Sequence, residues 1–236
     1  MTDGAKGRRR PAAAPQRGPG AARAEDSGAL DAPTAALVRA AAAIAAGDAG
    51  ELKVRFAAAR ERGTPTLWIE ELLLQSLLVV GYPLALVAFG VWRELTGPLP
   101  QQGDGAEQLA HADWESWEER GAVVCRAVYG RAYHKLLVNL RALHPALEDL
   151  VLVDAYGKVI GRSGLDLQRR ELCTVAAVAV LGTMAQLHSH LRGALNTGAS
   201  VGEVEAVLAL LADDLTPALR RRTEAQWHDV RGRRLK

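Results

Sequence analysis

The stretch that decides the fold runs from Arg162 to Leu211 and reads RSGLDLQRRELCTVAAVAVLGTMAQLHSHLRGALNTGASVGEVEAVLALL. Its pattern predicts three consecutive helices. Asp166 is placed to cap the first, and Gly182 ends it, because glycine readily adopts the left-handed conformation on which helices commonly stop. A second helix follows. Ser200, with Glu203 three positions later, forms a capping box that opens the third.

Two chemically capable residues, Glu171 and His190, lie on either side of the turn at Gly182. At 1.5 Å per residue they are roughly 16 Å and roughly 12 Å from the bend, so an antiparallel helix pair lets them touch. Helical spacing places His190 on the apolar face, whereas His188 shares the polar face with Arg192. Such a pair is either a structural hydrogen bond or a catalytic one, and the spacing leaves both readings open.

Short motifs follow one another through this stretch and upstream of it. They are GLD at Gly164 to Asp166, REL at Arg170 to Leu172, VLG at Val180 to Gly182, LHSHLRGA at Leu187 to Ala194, and a capped helix start at Gly198 to Glu203. In this order they resemble the carboxymuconolactone decarboxylase family. Glu119 to Gly130 and His144 to Arg162 are similar to that family's N-terminal helices and to the segment that enters its site. The resemblance implies an all-α fold, the alkylhydroperoxidase D-like helical bundle.

An earlier segment echoes the later one. Shifted by 135 positions without a gap, Glu51 to Leu73 falls on Gln186 to Leu208 with the same apolar period and the same helix stops. We therefore predict two tandem copies of the bundle. The first is a helical repeat at 34–97, a linker follows at 98–108, and the second domain occupies 109–236.

The first copy lacks the acid and the histidine. Where the second copy has Glu171 and His190, the first has Ala36 and Arg55. Neither an alanine methyl nor a guanidinium exchanges protons near neutral pH. The sequence thus predicts a degenerate first copy and a single active centre in the second.

Composition and charge argue against a nucleic-acid partner. Residues 1–33 are rich in Ala, Pro, Gly and Arg, and we expect a disordered tail there, because such a segment buries little apolar surface. The 29 Lys and Arg residues nearly balance the 27 Asp and Glu residues, which gives a net charge of +2. A nucleic-acid-binding surface needs an excess of positive charge, so the composition indicates none. The tail has no apolar signal segment, so we expect residence in the cytoplasm.

The longest apolar run, Leu72 to Trp92, has the length of a membrane span. Gly81 and Pro83 divide it near its middle, and each half alone is too short to cross a bilayer. We therefore predict two short buried helices and no membrane partner.

The thiols distinguish between branches of the superfamily. Alkylhydroperoxidase D proteins use a Cys-x-x-Cys pair just before the shared histidine, one thiolate attacking the peroxide and the second resolving it. Here Thr183 and Gln186 occupy those positions. Cys125 and Cys173 lie far apart in sequence and are expected to be buried thiols. No residues show metal-ligand spacing, so no metal is expected.

The resemblance implies a carboxy-lyase of aromatic catabolism that decarboxylates a carboxylated lactone without a cofactor. Such a reaction needs a cation for the substrate carboxylates and an acid to protonate the carbanion. We assign His190 as proton donor and Glu171 as the residue that orients it. Substrate binding is assigned to Arg162 as a carboxylate clamp, with His188 and Arg192 at the rim.

Two other functions stay open, a peroxidase of the alkylhydroperoxidase D type and a non-catalytic ligand-binding or assembly module. The missing Cys-x-x-Cys disfavours the first, whereas the degenerate first copy keeps the second open. Besides a small-molecule substrate, the resemblance implies that the chain binds further copies of itself. We expect a homo-oligomer, a trimer or a hexamer.

Overall fold

A computed structural model of the chain describes residues 28–98 and 114–234, and within them the chain is helical without β-strands. The first copy contains α1 (Ala32–Ala46), α2 (Ala49–Glu61) and α3 (Thr66–Thr96). The intervening segment contains α4 (Trp114–Tyr129), a 3₁₀ turn (Gly130–Ala132), α5 (Tyr133–Leu143), the short α6 (Leu147–Asp149) and a π-helix (Leu150–Ile160). The second copy contains α7 (Leu167–Val180), α8 (Met184–Asn196), α9 (Val201–Leu210) and α10 (Pro217–Arg234). The predicted tail up to residue 27 and the predicted linker from residue 99 to 108 lie outside the described residues.

The predicted helix ends of the second copy are confirmed. The Asp166 carboxylate accepts a hydrogen bond from the Arg169 backbone N–H at 2.9 Å and caps α7. Gly182, just after that helix, has a φ of 70°, which favours glycine. Both bonds of the capping box between Ser200 and Glu203 are present at the start of α9. Local sequence signals therefore set the three helices that carry the site.

The same pattern recurs 135 residues earlier, which confirms two tandem copies. Asp31 caps α1 as Asp166 caps α7. Gly47 follows α1 with a φ of 78°, as Gly182 follows α7. Helix α2 has the same bounds as α8 after this shift, and α3 begins where α9 does. Each copy is therefore a helical hairpin followed by further helices in the same order.

A buried tryptophan recurs in both copies. The Trp92 indole N–H donates to Glu70 at 2.6 Å, and the Trp227 indole N–H donates to Glu205 at 3.3 Å. These pairs again lie 135 positions apart. A tryptophan buried with its N–H satisfied by an acid is a specific arrangement, because both residue types are required. Its repetition supports a duplication rather than chance similarity of alanine-rich helices.

The two copies share one hydrophobic core. Helix α1 packs against α7, and each copy also sends its third helix across, α3 onto α7 and α9 onto α1. Fully buried leucines come from both copies, among them Leu37, Leu73, Leu172 and Leu187. The pairing is reciprocal, as in the interface of a twofold-symmetric dimer. The chain thus contains in one polypeptide the equivalent of two packed subunits.

A buried charged cluster crosses the boundary between the copies. The Glu71 carboxylate of α3 accepts hydrogen bonds from Arg162 Nε at 2.9 Å and from an Arg170 terminal nitrogen at 2.7 Å. Gln75, one turn further along α3, donates to the Arg170 backbone carbonyl at 2.8 Å. All four side chains are buried. Because two arginines of the second copy pair with one acid of the first, this cluster fixes how α3 sits on the second copy.

The long helix α3 is broken where the sequence predicts. Gly81 has φ 73° and ψ 173°, outside the helical region, and Pro83 follows in the new helical turn. By length and composition this is the one helix in residues 28–98 and 114–234 that could cross a membrane, and 33% of its most apolar window is buried. The prediction of two buried halves is wrong in part, because the side chains beyond the break are open: Tyr82 is 68% exposed and Leu86 60%.

The intervening helices cover one side of the second copy. Helix α4 crosses the π-helix in backbone contact, because a Cβ on Gly121 would lie 1.8 Å from the Leu152 carbonyl oxygen. A Cβ on Gly157 would lie 2.2 Å from the Trp117 carbonyl oxygen. Only glycine permits this approach. The pair packs as a unit, and α4 also contacts α8, which carries the predicted histidine.

Candidate functional site

The structure brings Glu171 and His190 together. Glu171 projects from α7 and His190 from α8, and His190 Nδ1 lies 2.9 Å from Glu171 Oε2. The Glu171 side chain is 3% exposed and that of His190 15%. The antiparallel hairpin produces this contact, as the distances from the turn at Gly182 predicted. A nearly inaccessible acid therefore contacts a histidine whose side chain is still partly exposed.

Gly193 makes room for the acid. A Cβ at this position would lie 2.2 Å from Glu171 Oε2 and 3.0 Å from the Val128 side chain of α4. An alanine would therefore collide with the carboxylate. The equivalent residue of the first copy is Ala58, and there the acid is replaced by Ala36. Glycine at this position and the acid therefore occur together in the second copy, and both are absent from the first.

Three side chains that can carry a proton lie near enough to Glu171 to interact with its charge, and sequence reasoning placed none of them in the site. They are Cys125 and Tyr129 of α4 and Tyr156 of the π-helix. Burial raises the pKa of the Cys125 thiol to about 12, and the charge of Glu171 adds to this rise. Burial likewise raises the pKa of Tyr129 to about 12 against the lowering effect of its hydrogen bond with Tyr156. Burial also holds the pKa of Tyr156 well above its ordinary value, with smaller contributions from the charges of Tyr129 and Glu171.

These groups consequently remain protonated at neutral pH. The tyrosine rings meet edge to face with centroids 6.2 Å apart. Cys125 and Tyr129 are four positions apart, a spacing that places both on one helix face and could have suggested a shared site. Nothing in the local sequence indicates Tyr156, because it arrives from a different helix.

Arg162 has a structural partner. Its side chain is 5% exposed, and its Nε donates to Glu71 at 2.9 Å in the charged cluster between the copies. In the structure its Nε is therefore engaged by an acid of the first copy. Its role as a clamp therefore stays a prediction, and the structure gives its guanidinium a different task.

His188 and Arg192 are not brought to His190. Each is two positions from His190 along α8, and successive residues of an α-helix turn by about 100°, so both side chains leave the opposite side of the helix. His188 Nε2 lies 3.4 Å from an Asp229 carboxylate oxygen of α10. Both residues line a small cavity of about 40 Å³ with Tyr129. Their assignment to substrate binding therefore stays a prediction.

The two cysteines lie in different cores. Cys125 belongs to the smaller cluster beneath α4 and the π-helix, and Cys173 belongs to the large core shared by the copies. Burial raises the pKa of the Cys173 thiol as well, so neither is a thiolate at neutral pH. The expected buried thiols are confirmed. In the part of the chain that the structure describes, no group of three or more His, Cys, Asp and Glu side chains could hold a metal ion.

Comparison with known proteins adds two findings. The model of the carboxymuconolactone decarboxylase family matches residues 12–94 and 150–225, which together make up most of the chain and fall on its two copies. "Peroxisomal protein 2" of Schizosaccharomyces pombe (strain 972 / ATCC 24843) is 29% identical over 150 residues, which cover 62% of this chain and 68% of that protein. Glu171 and His190 lie within the second matched segment.

Proposed function

The chain belongs to the carboxymuconolactone decarboxylase family, and we propose that it is a cofactor-free enzyme in which His190 moves a proton during decarboxylation, or related chemistry, of a carboxylated lactone. The observation that carries the proposal is the 2.9 Å contact between His190 Nδ1 and the buried Glu171 carboxylate. An acid that engages one imidazole nitrogen fixes the orientation and the tautomer of the ring. His190 Nε2 is thereby left to face the substrate.

The chemistry asked of this pair is a single proton transfer. When the bond between the lactone ring and its carboxylate breaks, carbon dioxide leaves and the electron pair passes into the conjugated carbonyl. The protonated His190 then donates its Nε2 proton to the carbon that lost the carboxylate. Glu171 stabilises the imidazolium before the transfer, and a positioned acid of this kind contributes about 10²- to 10⁴-fold to the rate.

The neutral groups around Glu171 favour this chemistry over thiol chemistry. Cys125 is fully buried and its thiol, with a pKa of about 12, is a poor nucleophile at neutral pH. Its potential partner, Cys173, lies in the other core. A two-thiol peroxidase cycle would need both sulfurs to meet. We therefore rank proton transfer by His190 above peroxide reduction.

The test is an activity panel on the full chain. Carbon dioxide release from a set of carboxylated γ-lactones, and reduction of an alkyl hydroperoxide with a dithiol, are measured for the wild type, His190→Gln and Glu171→Gln. We expect lactone turnover that falls at least about 10²-fold in His190→Gln. His134→Gln is the matched control, because it removes an exposed imidazole of α5 that has no assigned role. It should retain activity.

Other results would select the alternatives. Peroxide turnover that is lost in Cys125→Ser would assign the protein to the peroxidase branch. Turnover of neither substrate class, together with unchanged ligand binding in His190→Gln, would favour a non-catalytic module. Equal losses in His190→Gln and His134→Gln would point to general destabilisation and would remove His190 from its assigned role.

The proposal also includes an oligomeric state and a cellular compartment. We place it in a homo-oligomer, a trimer or a hexamer, and in the cytoplasm. The name of the Schizosaccharomyces pombe relative puts that protein in the peroxisome, which makes the peroxisome the alternative compartment for this chain. Fluorescence microscopy of the chain tagged at either end, beside a peroxisomal marker, decides between the two.

A further inference from the structure

We propose that a groove on the opposite side of α8 from His190 binds a small polyanion, a molecule with phosphate or carboxylate groups on a partly apolar body. The groove lies between the 3₁₀ turn, α8 and α10, and its volume is about 370 Å³. Its lining consists of Arg131, Arg192, Leu195, Asn196, Val230 and Arg233. Three arginines from three separate elements thus line one depression.

The charges in this groove are not neutralised from within the described chain. Within residues 28–98 and 114–234, Arg131 and Arg192 have neither a hydrogen bond nor an ion pair. Arg233 donates to Asp229 at 3.0 Å, but both side chains are exposed and such a pair is weak. On the same helix, Arg220 pairs with Glu224 at 3.0 Å and Arg231 with Glu205 at 2.7 Å. An anion in the groove would relieve the mutual repulsion of its arginines.

The shape of the groove favours an ordered ligand. Asn196 Nδ2 donates to the Val128 backbone carbonyl at 2.8 Å, which holds its side chain at the groove wall. Leu195 and Val230 are 9% and 3% exposed and form an apolar base. Guanidinium groups bind phosphate and carboxylate oxygens through two parallel hydrogen bonds, which gives direction as well as charge. Charged walls over an apolar base suit an organic anion better than a bare ion.

This groove is separate from the acid and histidine pair. Arg192 and His190 leave α8 on opposite sides, and Glu171 is absent from the groove lining. Val128 of α4 contacts both, since its carbonyl accepts from Asn196 at the groove wall and its side chain lies near Gly193 beside Glu171. Occupancy of the groove is therefore measurable without turnover, and it does not depend on the proposed decarboxylation.

The experiment is a calorimetric titration of the full chain at low salt with two probes, inorganic pyrophosphate and citrate. The first represents phosphate ligands and the second carboxylate ligands, so the stronger binder identifies the source of the anion. We expect saturable binding of one probe per chain. Replacing Arg131 and Arg192 together by glutamine should weaken it by about tenfold or more for each arginine, the size of a charge-assisted hydrogen bond.

Two control proteins make the outcome decisive. The double variant Arg221→Gln, Arg222→Gln removes the same charge from exposed positions of α10, and it should bind as the wild type does. His190→Gln should also bind normally, because His190 faces away. Absence of saturable binding by the wild type, an equal loss in both arginine double variants, or a loss in His190→Gln would each overturn the proposal.

Discussion

Replacing Gly193 by alanine tests the geometry of the site with a single methyl group. The added Cβ would lie 2.2 Å from Glu171 Oε2 and 3.0 Å from Val128 Cγ1. Ordinary contact requires the oxygen to withdraw by about 1 Å or more. The contact with His190 Nδ1, now 2.9 Å, would then exceed the roughly 3.5 Å at which a hydrogen bond ends. We therefore expect the hydrogen bond between Glu171 and His190 to break.

The expected change in stability is a difference between two effects. Alanine favours the helix over glycine by about 1 kcal/mol. Loss of a hydrogen bond to a charged group is unfavourable by about 1.5–3 kcal/mol. The variant should therefore be less stable than the wild type by about 0.5–2 kcal/mol. Urea unfolding followed by circular dichroism measures this free energy, and NMR of the imidazole Nδ1 proton reports the contact itself.

The chain provides a matched control and a rescue. A Cβ added to Gly90, in α3, would have no heavy atom of another residue within 4 Å beyond its chain neighbours and the helix backbone. Gly90→Ala should raise the free energy of unfolding by about 0.5–1 kcal/mol. Adding Glu171→Ala to Gly193→Ala reproduces the pairing of Ala36 with Ala58 in the first copy and should recover part of the lost stability. A Gly193→Ala protein stabilised as much as Gly90→Ala, with the Nδ1 signal unchanged, would refute the reasoning.

Three further predictions concern other parts of the molecule. Glu71→Gln removes the carboxylate that pairs with two buried arginines and should lower the free energy of unfolding by about 3–5 kcal/mol in urea. Glu94→Gln, which breaks an exposed pair, should change it by less than about 1 kcal/mol; equal effects would contradict the role of the charged cluster. An unfolded thiol ionises near pH 8.5, but the folded Cys125 stays protonated until about pH 12. Stability should therefore be complete below pH 8.5 and fall as the pH rises towards 12, and Cys125→Ala should flatten this decline in thermal melts at successive pH values. Leu86→Lys, on the open half of α3, should reduce the particle mass in light scattering from that of a trimer or hexamer, whereas Val138→Lys, equally open on α5, should not; a monomeric wild type would exclude the assembly.

Much of the fold follows from local signals. Asp166, Gly182 and Ser200 act through hydrogen bonds and φ values within a few residues, so the sequence suffices to place the ends of the helices. The contact of Glu171 with His190 also follows, because a tight turn fixes the register of an antiparallel hairpin. The duplication could be predicted for the same reason, since both copies repeat one pattern of stops and apolar positions.

What the sequence did not indicate depends on contacts between distant segments. From its position in the sequence, Arg162 is a candidate cation for a substrate carboxylate. In the fold its Nε donates to Glu71 of α3, which lies 91 positions away. Tyr156 joins the site only because the glycine crossing sets the π-helix against α4. The open surface of α3 near Leu86 was missed because an apolar pattern reports that a face avoids water, and it does not say whether the same chain covers it.

The reciprocal packing of the two copies has a consequence for dilution. In a dimer of separate chains, the fraction assembled falls with concentration, and both subunits must keep every residue that the interface and the chemistry require. Here the partner is covalently attached, so its effective concentration never changes. The first copy can lose its acid and histidine without yielding mixed populations of active and inactive halves. Each chain therefore carries one acid and histidine pair beside one half that lacks both residues.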